Sequence, residues 1–125
     1  MQAIFPGVSG TTPERRSDCP ISCALDLLGD RWTMLVVRDL FLGRRYFEEF
    51  LASPEGIATN ILSDRLKMLM SHGLVEKQPD EADRRRFIYK LTTRGKSLWK
   101  VLRPLTRWSL ENIPGTRILP EARIS

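Results

Sequence analysis

The chain has 125 residues, with 20 Lys and Arg against 15 Asp and Glu, a formal net charge of +5 and a pI near 9.7. This length suits one domain with a modest core, and the basic balance favours a polyanionic partner, although charge alone also suits a membrane surface. No apolar run is long enough to cross a bilayer, the first residues lack a signal-peptide pattern, and two cysteines are too few for a disulfide scaffold, so we expect a cytoplasmic protein.

The two ends of the chain differ in composition from its middle. Residues 1–16 are rich in Gly, Pro, Ser and Thr, and residues 114–125 contain two prolines and a glycine. Such segments bury too little apolar surface to fold by themselves. We predict flexible tails over 1–16 and 114–125 and one folded domain over 17–113.

The first helix is predicted to begin at Pro20, which occupies a position that favours proline, after a cap at Asp18 or Cys19. Gly29 ends it. Its apolar stripe, which we expect to be buried, contains Ile21, Ala24, Leu25 and Leu28.

A second helix is predicted over residues 31–42, with Asp30 as its cap. Arg44 and Arg45 follow it and precede the next helix. The packing residues of this second helix are predicted to be Trp32, Leu35, Val36 and Leu40.

Residues 46–73 have the composition of a helix-turn-helix, because two apolar-periodic segments flank the turn sequence Ser-Pro-Glu-Gly at 53–56. At 100° per residue, the apolar side of the second segment contains Ala58, Ile61, Leu62, Leu66 and Leu69. Its opposite side contains Asn60, Ser63, Asp64, Lys67 and Ser71. Such short donors and acceptors suit a helix that reads base edges in a major groove, and a solvated surface helix is the alternative.

Arg65 lies near the apolar stripe of that helix. Its stem can be buried while its charged end reaches water or a phosphate. Its role is therefore either to support packing or to contact a phosphate.

A hairpin follows, with a strand at 74–77, a polar connection at 78–85 and an alternating strand at 86–92. We expect Phe87, Tyr89 and Leu91 on one face of the second strand. Between Arg84 and Lys96 there are six basic residues and no acidic one. A recognition-type helix followed by a basic hairpin predicts a winged helix whose arginines contact DNA phosphates or the minor groove. In the alternative, these arginines pair with the acidic residues of the tip.

One final helix is predicted from Thr93 to about Asn112, with a kink near Leu102 because Pro104 interrupts it. Its apolar residues need a cover, which either the first helix of the same chain or a second copy of the chain supplies. The predicted dimer interface contains Leu98, Leu102, Leu105 and Trp108 of this helix with Ile21 and Leu25 of the first.

With these elements placed, the chain resembles the HxlR family of bacterial winged-helix transcription regulators, relatives of the MarR group. The resemblance spans about Cys19 to Trp108 and depends on the order and spacing of short motifs: Cys19-Pro20-Ile21, Leu28-Gly29-Asp30-Arg31-Trp32, Phe47 with Glu49, Gly56-Ile57, Leu62-Ser63-Asp64-Arg65-Leu66, Gly73-Leu74-Val75 and Leu91-Thr92-Thr93-Arg94-Gly95. It implies a mainly helical fold with a small hairpin, in which additional N- and C-terminal helices form a homodimer. It also implies a palindromic operator and action as a repressor or activator.

The chain departs from that family's pattern at several positions, among them Ala58, Tyr46 and the Pro54-Glu55 pair of the helix-turn-helix, and in a longer wing tip at 80–85. Ala58 stands where a serine is usual, which removes a capping hydroxyl worth about 1 kcal/mol unless Thr59 replaces it. Tyr46 stands where an arginine is common.

No catalytic set is evident, and neither a metal-ligand spacing nor a phosphate loop predicts a cofactor. His72, the single histidine, is expected to suit the end of its helix as a cation. Cys19 lies at a predicted helix start beside Arg15 and Arg16, which favours a reactive thiolate, and a packed, unreactive cysteine is the alternative. Family members are similar in using a cysteine at this position to sense oxidants. A pocket under Trp32 and Trp108 is a candidate site for a small effector.

The leading hypothesis is a dimeric regulator that binds double-stranded DNA, and its alternative is a winged-helix module that binds protein and no DNA. In the leading hypothesis Asn60, Ser63, Asp64 and Lys67 read bases. Phosphate contacts come from the wing and from the start of the helix-turn-helix: Arg84, Arg85, Arg86, Thr59, Arg44 and Arg45.

Overall fold

Six helices and one antiparallel hairpin follow one another in residues 15–119, the residues that this computed structural model describes. In chain order they are α1 (Pro20–Leu28), α2 (Thr33–Phe41), α3 (Phe47–Leu51), α4 (Thr59–Ser71), β1 (Val75–Pro79), β2 (Phe87–Leu91), α5 (Thr93–Lys96) and α6 (Trp99–Asn112). The predicted winged helix-turn-helix fold is confirmed. The tails predicted for 1–16 and 114–125 lie mostly outside the described residues, so the domain boundaries stay a prediction.

The core lies between α2, α3, α4 and the hairpin. The α4 stripe predicted from periodicity supplies Leu62, Leu66 and Leu69, each no more than 1% exposed. Phe50 of α3 meets Tyr89 of β2 edge-on, with ring centroids 6.3 Å apart. Burial of these side chains holds α4 against the hairpin, so the two elements predicted to contact DNA form one rigid unit.

The Asp30 carboxylate accepts hydrogen bonds from the amides of Trp32 (2.9 Å) and Thr33 (3.0 Å), so it holds the turn that leads into α2, while the N-cap residue of the helix itself is Trp32. The helix itself is shorter than expected, at Thr33–Phe41. Its buried residues include two that the periodicity did not indicate, Val37 and Asp39.

The buried stripe predicted for α1 is wrong. Ile21 is 71% exposed, Leu25 is 54% exposed, and Ala24 is exposed too. Only the end of the helix reaches the core, where Leu27 and Leu28 pack against it. The spacing correctly indicated an apolar face, but no other element of residues 15–119 buries it.

The single C-terminal helix predicted from Thr93 is also wrong, because the chain breaks at Ser97–Leu98 into α5 and α6. Gly95 of α5 packs closely against the residue before β1, because an added Cβ would lie 1.9 Å from the Leu74 carbonyl oxygen. The Thr92 hydroxyl reinforces this contact, since it accepts from the Gly95 amide (3.0 Å) and donates to the Gly73 carbonyl (2.6 Å). Pro104 lies inside α6, and the kink expected near Leu102 stays a prediction.

The hairpin pairs Val75 with Leu91 and Pro79 with Phe87. Tyr89 and Leu91 face the core as predicted, but Phe87 is 47% exposed, because it lies at the end of the ladder beyond the helices. Ile88, on the opposite face of the strand, is also only 8% exposed. The amide of Tyr89 donates to the Arg45 carbonyl (2.8 Å), so the segment between α2 and α3 runs along β2.

Candidate nucleic-acid interface

The turn between α3 and α4 is held by a buried carboxylate, Asp39, whose side chain is 3% exposed. It accepts hydrogen bonds from the guanidinium groups of Arg38 and Arg44, at 3.0 Å each, and from the Ser53 hydroxyl. Arg38 also makes two hydrogen bonds to Glu55, at 2.8 and 2.9 Å. These contacts join α2 to both sides of the turn and so position the start of α4. Sequence reasoning missed Asp39, whose signal is a carboxylate inside an otherwise apolar helix segment.

The outer face of α4 carries the residues predicted to read bases. Asn60, Asp64 and Lys67 are exposed, and Ser63 is half-buried. Ala58 was predicted on the apolar side, but it precedes the helix as an exposed, extended N-cap. No side chain caps α4, because Ala58 has no hydroxyl and Thr59 is already helical. The first amides of α4 are therefore available to an anionic group such as a phosphate.

Arg65 serves packing. Its Nε lies 3.2 Å from the Asp30 carboxylate, and its side chain is 26% exposed. Burial alone would raise the pKa of Asp30, but hydrogen bonds from Thr33 and Trp32, with the charge of Arg65, lower that pKa below its usual value. The pair links α4 to the corner between α1 and α2.

The three arginines predicted for the wing have different surroundings. Arg84 and Arg85 are exposed at the tip, where Arg85 makes a solvent-exposed ion pair with Asp83 at 3.2 Å. Arg86 lies at the base of the tip, paired with Glu48 and stacked on the ring of Tyr46. The alternative considered above, in which the wing arginines pair with acidic residues of the tip, therefore holds for Arg85. Arg86 pairs with an acidic residue of α3.

The two arginines before α3 also differ. Arg44 is 20% exposed and its guanidinium is engaged with Asp39. The Arg45 side chain is exposed, while its amide donates to the Glu49 carboxylate (2.8 Å). Of these two, Arg45 is the one whose charge is presented to solvent.

The predicted dimer residues are mostly exposed in the single chain. Leu105 is 51% and Trp108 57% exposed on α6, in addition to Ile21 and Leu25 on α1. Leu102 packs partly against the core. Leu98 differs, because the break before α6 turns it into the core of its own chain, where it is 9% exposed.

Trp32 and Trp108 do not line a common pocket, although one was expected under them. Trp32 packs against the core, with the Arg31 guanidinium 5.6 Å from its ring. Trp108 instead borders a shallow hollow of about 440 Å³, which is lined by Arg103, Pro104, Arg107, Trp108 and Glu111.

Cys19 is exposed and forms the N-cap of α1. The amides of Ser22 and Ile21, at the positive end of the helix, lower the pKa of its thiol. The neighbouring arginines are paired with carboxylates instead: Arg15 with Asp18 at 3.7 Å and Arg16 with Asp26 at 2.9 Å. Cys23 Sγ donates to the carbonyl of Ser17 at 3.4 Å.

His72 does not provide the cation expected at the end of α4. Burial lowers its pKa, and the charge of Arg94 lowers that pKa further. Arg94 itself donates to the His72 carbonyl and so brings a positive charge to this helix end.

Neither a metal-binding cluster nor a membrane-spanning helix is found within the described residues. No group of three His, Cys, Asp or Glu within 15–119 is arranged to hold a metal ion. No helix in that range has the length and apolar character needed to span a membrane.

Both the sequence and the fold of this chain match known transcriptional regulators. The HxlR-like helix-turn-helix family model matches residues 27–117. The HTH-type transcriptional regulator Rv3095 of Mycobacterium tuberculosis is 41% identical over 91 residues, which cover 73% of this chain and 57% of the relative. The chain thus spans little more than half the length of that relative.

Solved structures agree with the sequence comparison. The crystal structure of PA1607, described as a candidate transcription factor, has a TM-score of 0.74 at 36% identity and covers 83% of this chain and 73% of its own. The reduced form of the transcriptional regulator YodB from Bacillus subtilis has a TM-score of 0.65 at 29% identity and covers 81% and 100%. The quinone-bound form of YodB has a TM-score of 0.62 at 31% identity and covers 73% and 96%.

Proposed function

The chain belongs to the HxlR-like helix-turn-helix family of transcriptional regulators, and from this premise we propose that it binds a palindromic DNA operator as a homodimer. The observation that supports this best is the exposed polar face of α4, whose N-terminus has no side-chain cap. Lys67 and Asn60 suit hydrogen bonds to purine edges, and Asp64 suits the amino group of cytosine. Ser63 adds a shorter donor or acceptor, and Thr59 approaches a phosphate at the helix start.

The hairpin tip provides the electrostatic part of binding. Arg84 and Arg85 are exposed and can follow the phosphates or enter a narrow minor groove, where a phosphate replaces Asp83 as the partner of Arg85. Arg45 adds a phosphate contact beside α3. Arg44 and Arg86 serve the protein itself, because Asp39 and Glu48 already pair with them.

A second copy of the chain covers the exposed apolar faces of α1 and α6. A two-fold dimer is the simplest assembly that buries the same surface on both partners. It also places two α4 helices for successive half-sites, which lie about 34 Å apart on one face of DNA.

Two substitutions separate base reading from phosphate contact. Lys67→Ala should weaken operator binding by roughly 5- to 100-fold and leave random DNA nearly unchanged, because a good base contact is worth ~1–3 kcal/mol. Arg85→Ala should weaken both and reduce the salt slope by about 1 per protomer. Gel shifts with operator fragments, selected from genomic DNA, and with a random duplex at several salt concentrations measure both effects.

Lys100→Ala is the charge-matched control, since it removes one exposed positive charge from α6. Unchanged affinity in both the Lys67 and Arg85 variants would remove the assignment of α4 and the wing. If the parent protein bound neither duplex pool even at low salt, the alternative of a protein-binding module would be favoured.

We also propose that Cys19 is the residue through which the regulator senses oxidants. Its exposure and lowered thiol pKa suit attack on an oxidant such as a peroxide or a quinone, and the similar YodB is known in reduced and quinone-bound forms. With hydrogen peroxide, the thiolate takes one oxygen to become sulfenic acid and hydroxide leaves. Because α1 is part of the proposed dimer interface, modification at its start changes the spacing of the two α4 helices.

Stoichiometric oxidant should change the DNA affinity of the parent protein and leave Cys19→Ser protein unaffected. Cys23→Ser is the matched control, because Cys23 lies one turn along the same helix and its thiol is engaged with the Ser17 carbonyl. Gel shifts before and after oxidant test this. An equal response in the parent and the Cys19→Ser protein would place the input elsewhere.

A further inference from the structure

Tyr46 lies between the helix-turn-helix and the wing. It is the N-cap residue of α3, where its amide and that of Arg45 donate to the Glu49 carboxylate at 2.9 and 2.8 Å. These bonds hold its backbone at the start of α3. Its side chain extends to the hairpin, where the phenol donates to the Asp80 carboxylate at 2.6 Å.

Asp80 is the residue at which the hairpin tip begins. It is 8% exposed, although its neighbours in the tip are exposed. Its carboxylate also accepts from the Ala82 amide (3.1 Å), and its own amide donates to the Arg86 carbonyl (2.9 Å). The hydrogen bond from Tyr46 lowers the pKa of Asp80, which agrees with a carboxylate that stays ionised in this contact.

The other end of the tip is held by the same tyrosine. The Arg86 guanidinium carbon lies 3.8 Å from the centroid of the Tyr46 ring, and Arg86 also pairs with Glu48 of α3. The first turn of α3 therefore contacts both residues that close the tip. We call the set formed by Tyr46, Glu48, Asp80 and Arg86 the wing clamp.

The clamp acts at the end of the strand pairing, where the backbone bond from the Asp80 amide to the Arg86 carbonyl closes the tip. The strand pairing ends at Pro79 and Phe87, and a two-stranded hairpin by itself is only marginally stable in water. Beyond that pair, Arg84 and Arg85 are exposed and charged. Without a contact to the helices, the tip would sample many positions, and ordering it on DNA would cost conformational entropy.

We propose that Tyr46 is a positioning residue for DNA binding: it fastens the wing tip to α3 and so sets where Arg84 and Arg85 stand relative to α4. This inference rests on the proposed function, but its structural part can be tested without DNA. It assigns a role in wing placement to a residue that need not touch DNA.

The first experiment measures opening of the tip by limited trypsin digestion of the full chain under native conditions. Cleavage after Arg84 and Arg85 should become roughly 10- to 100-fold faster in Tyr46→Phe, the scale expected for loss of one charge-assisted hydrogen bond, and faster again in Tyr46→Ala, which also removes the ring under Arg86. Cleavage after Lys100 and Arg107 of α6 serves as the internal control and should not change. Thr106→Val is the matched control variant, since it removes a hydroxyl that donates to the Leu102 carbonyl at 2.8 Å, away from the clamp.

The second experiment separates positioning from general stability with double-mutant cycles in DNA binding. Arg85→Ala should cost less affinity in the Tyr46→Phe background than in the parent, because a displaced tip already contacts phosphates poorly. Lys67→Ala should cost the same in both backgrounds, since α4 does not depend on the clamp. A residue that only stabilised the fold would give additive effects in both cycles.

Equal cleavage after Arg84 and Arg85 in parent, Tyr46→Phe and Tyr46→Ala would overturn the inference, as would additive effects of Tyr46→Phe and Arg85→Ala. If the parent binds no DNA while the tyrosine variants still expose the tip to trypsin, the proposed function fails and the structural part of the clamp stands.

Discussion

Asp39→Ala is expected to lower the free energy of unfolding by about 3–5 kcal/mol, because it leaves two guanidinium groups without the buried carboxylate that they share. Arg38 and Arg44 are only 22% and 20% exposed, so water replaces the lost partner poorly. The Ser53 hydroxyl loses its acceptor as well. Urea unfolding followed by far-UV circular dichroism measures the change. All variants must be compared at one protein concentration, since the stability of a dimer depends on it.

Asp26→Ala is the matched control for this prediction. The carboxylate of Asp26 pairs with Arg16 at 2.9 Å, but both side chains are well exposed, and exposed pairs contribute only ~0–1 kcal/mol. Asp39→Asn keeps the side-chain shape and one acceptor oxygen, so its cost should fall between the two alanine variants. A cost for Asp39→Ala no larger than that of Asp26→Ala would show that the network does not hold the turn.

Trp108→Ala is expected to weaken the proposed dimer by roughly 3 kcal/mol or more, which is a 100-fold or larger increase in the dissociation constant. The indole is 57% exposed in the single chain and flanks the apolar face of α6, so its burial is expected mainly from the partner. The unfolding free energy of the isolated chain should change little. Sedimentation or light scattering over a range of protein concentrations gives the dissociation constant.

Trp99→Ala is the matched control on the same helix. Trp99 lies at the start of α6, and its ring centroid is 5.2 Å from that of Phe41 in its own chain. This variant should therefore lose stability within the chain and keep the dimer. A parent protein that is already a monomer at micromolar concentration would end the dimer proposal.

Local patterns in the sequence were sufficient for the elements that carry the candidate interface. The spacing of Leu62, Leu66 and Leu69 correctly predicted which side of α4 is buried, because the helical period alone determines which residues share a face. Asp30 was predicted as a cap from its position, and its carboxylate does bind the amides of Trp32 and Thr33 at the entry to α2, since such a bond spans only two or three residues.

Contacts between distant residues could not be read in this way. Periodicity indicated apolar faces on both α1 and α4, but a pattern within one helix does not say what covers it, and only the packing shows that α4 is buried and α1 is not. Likewise, an arginine has the same local signature whether it meets DNA or a carboxylate. Arg44 and Arg86 were predicted to contact phosphates and Arg65 was left open between packing and phosphate contact, and the fold brings each of them to an acidic side chain of its own chain.

The sequence by itself therefore determined most of the secondary structure, the winged helix-turn-helix and the polar face of α4, because these depend on side chains within a turn or a strand pair of one another. The tertiary structure alone decided which charges remain free for a partner, where α6 begins and which apolar surface is left uncovered. The physical reason is that an ion pair such as Arg86–Glu48, or the close approach of Gly95 to Leu74, joins residues that are far apart in the sequence. The periodicity of a single helix or strand carries no information about such contacts.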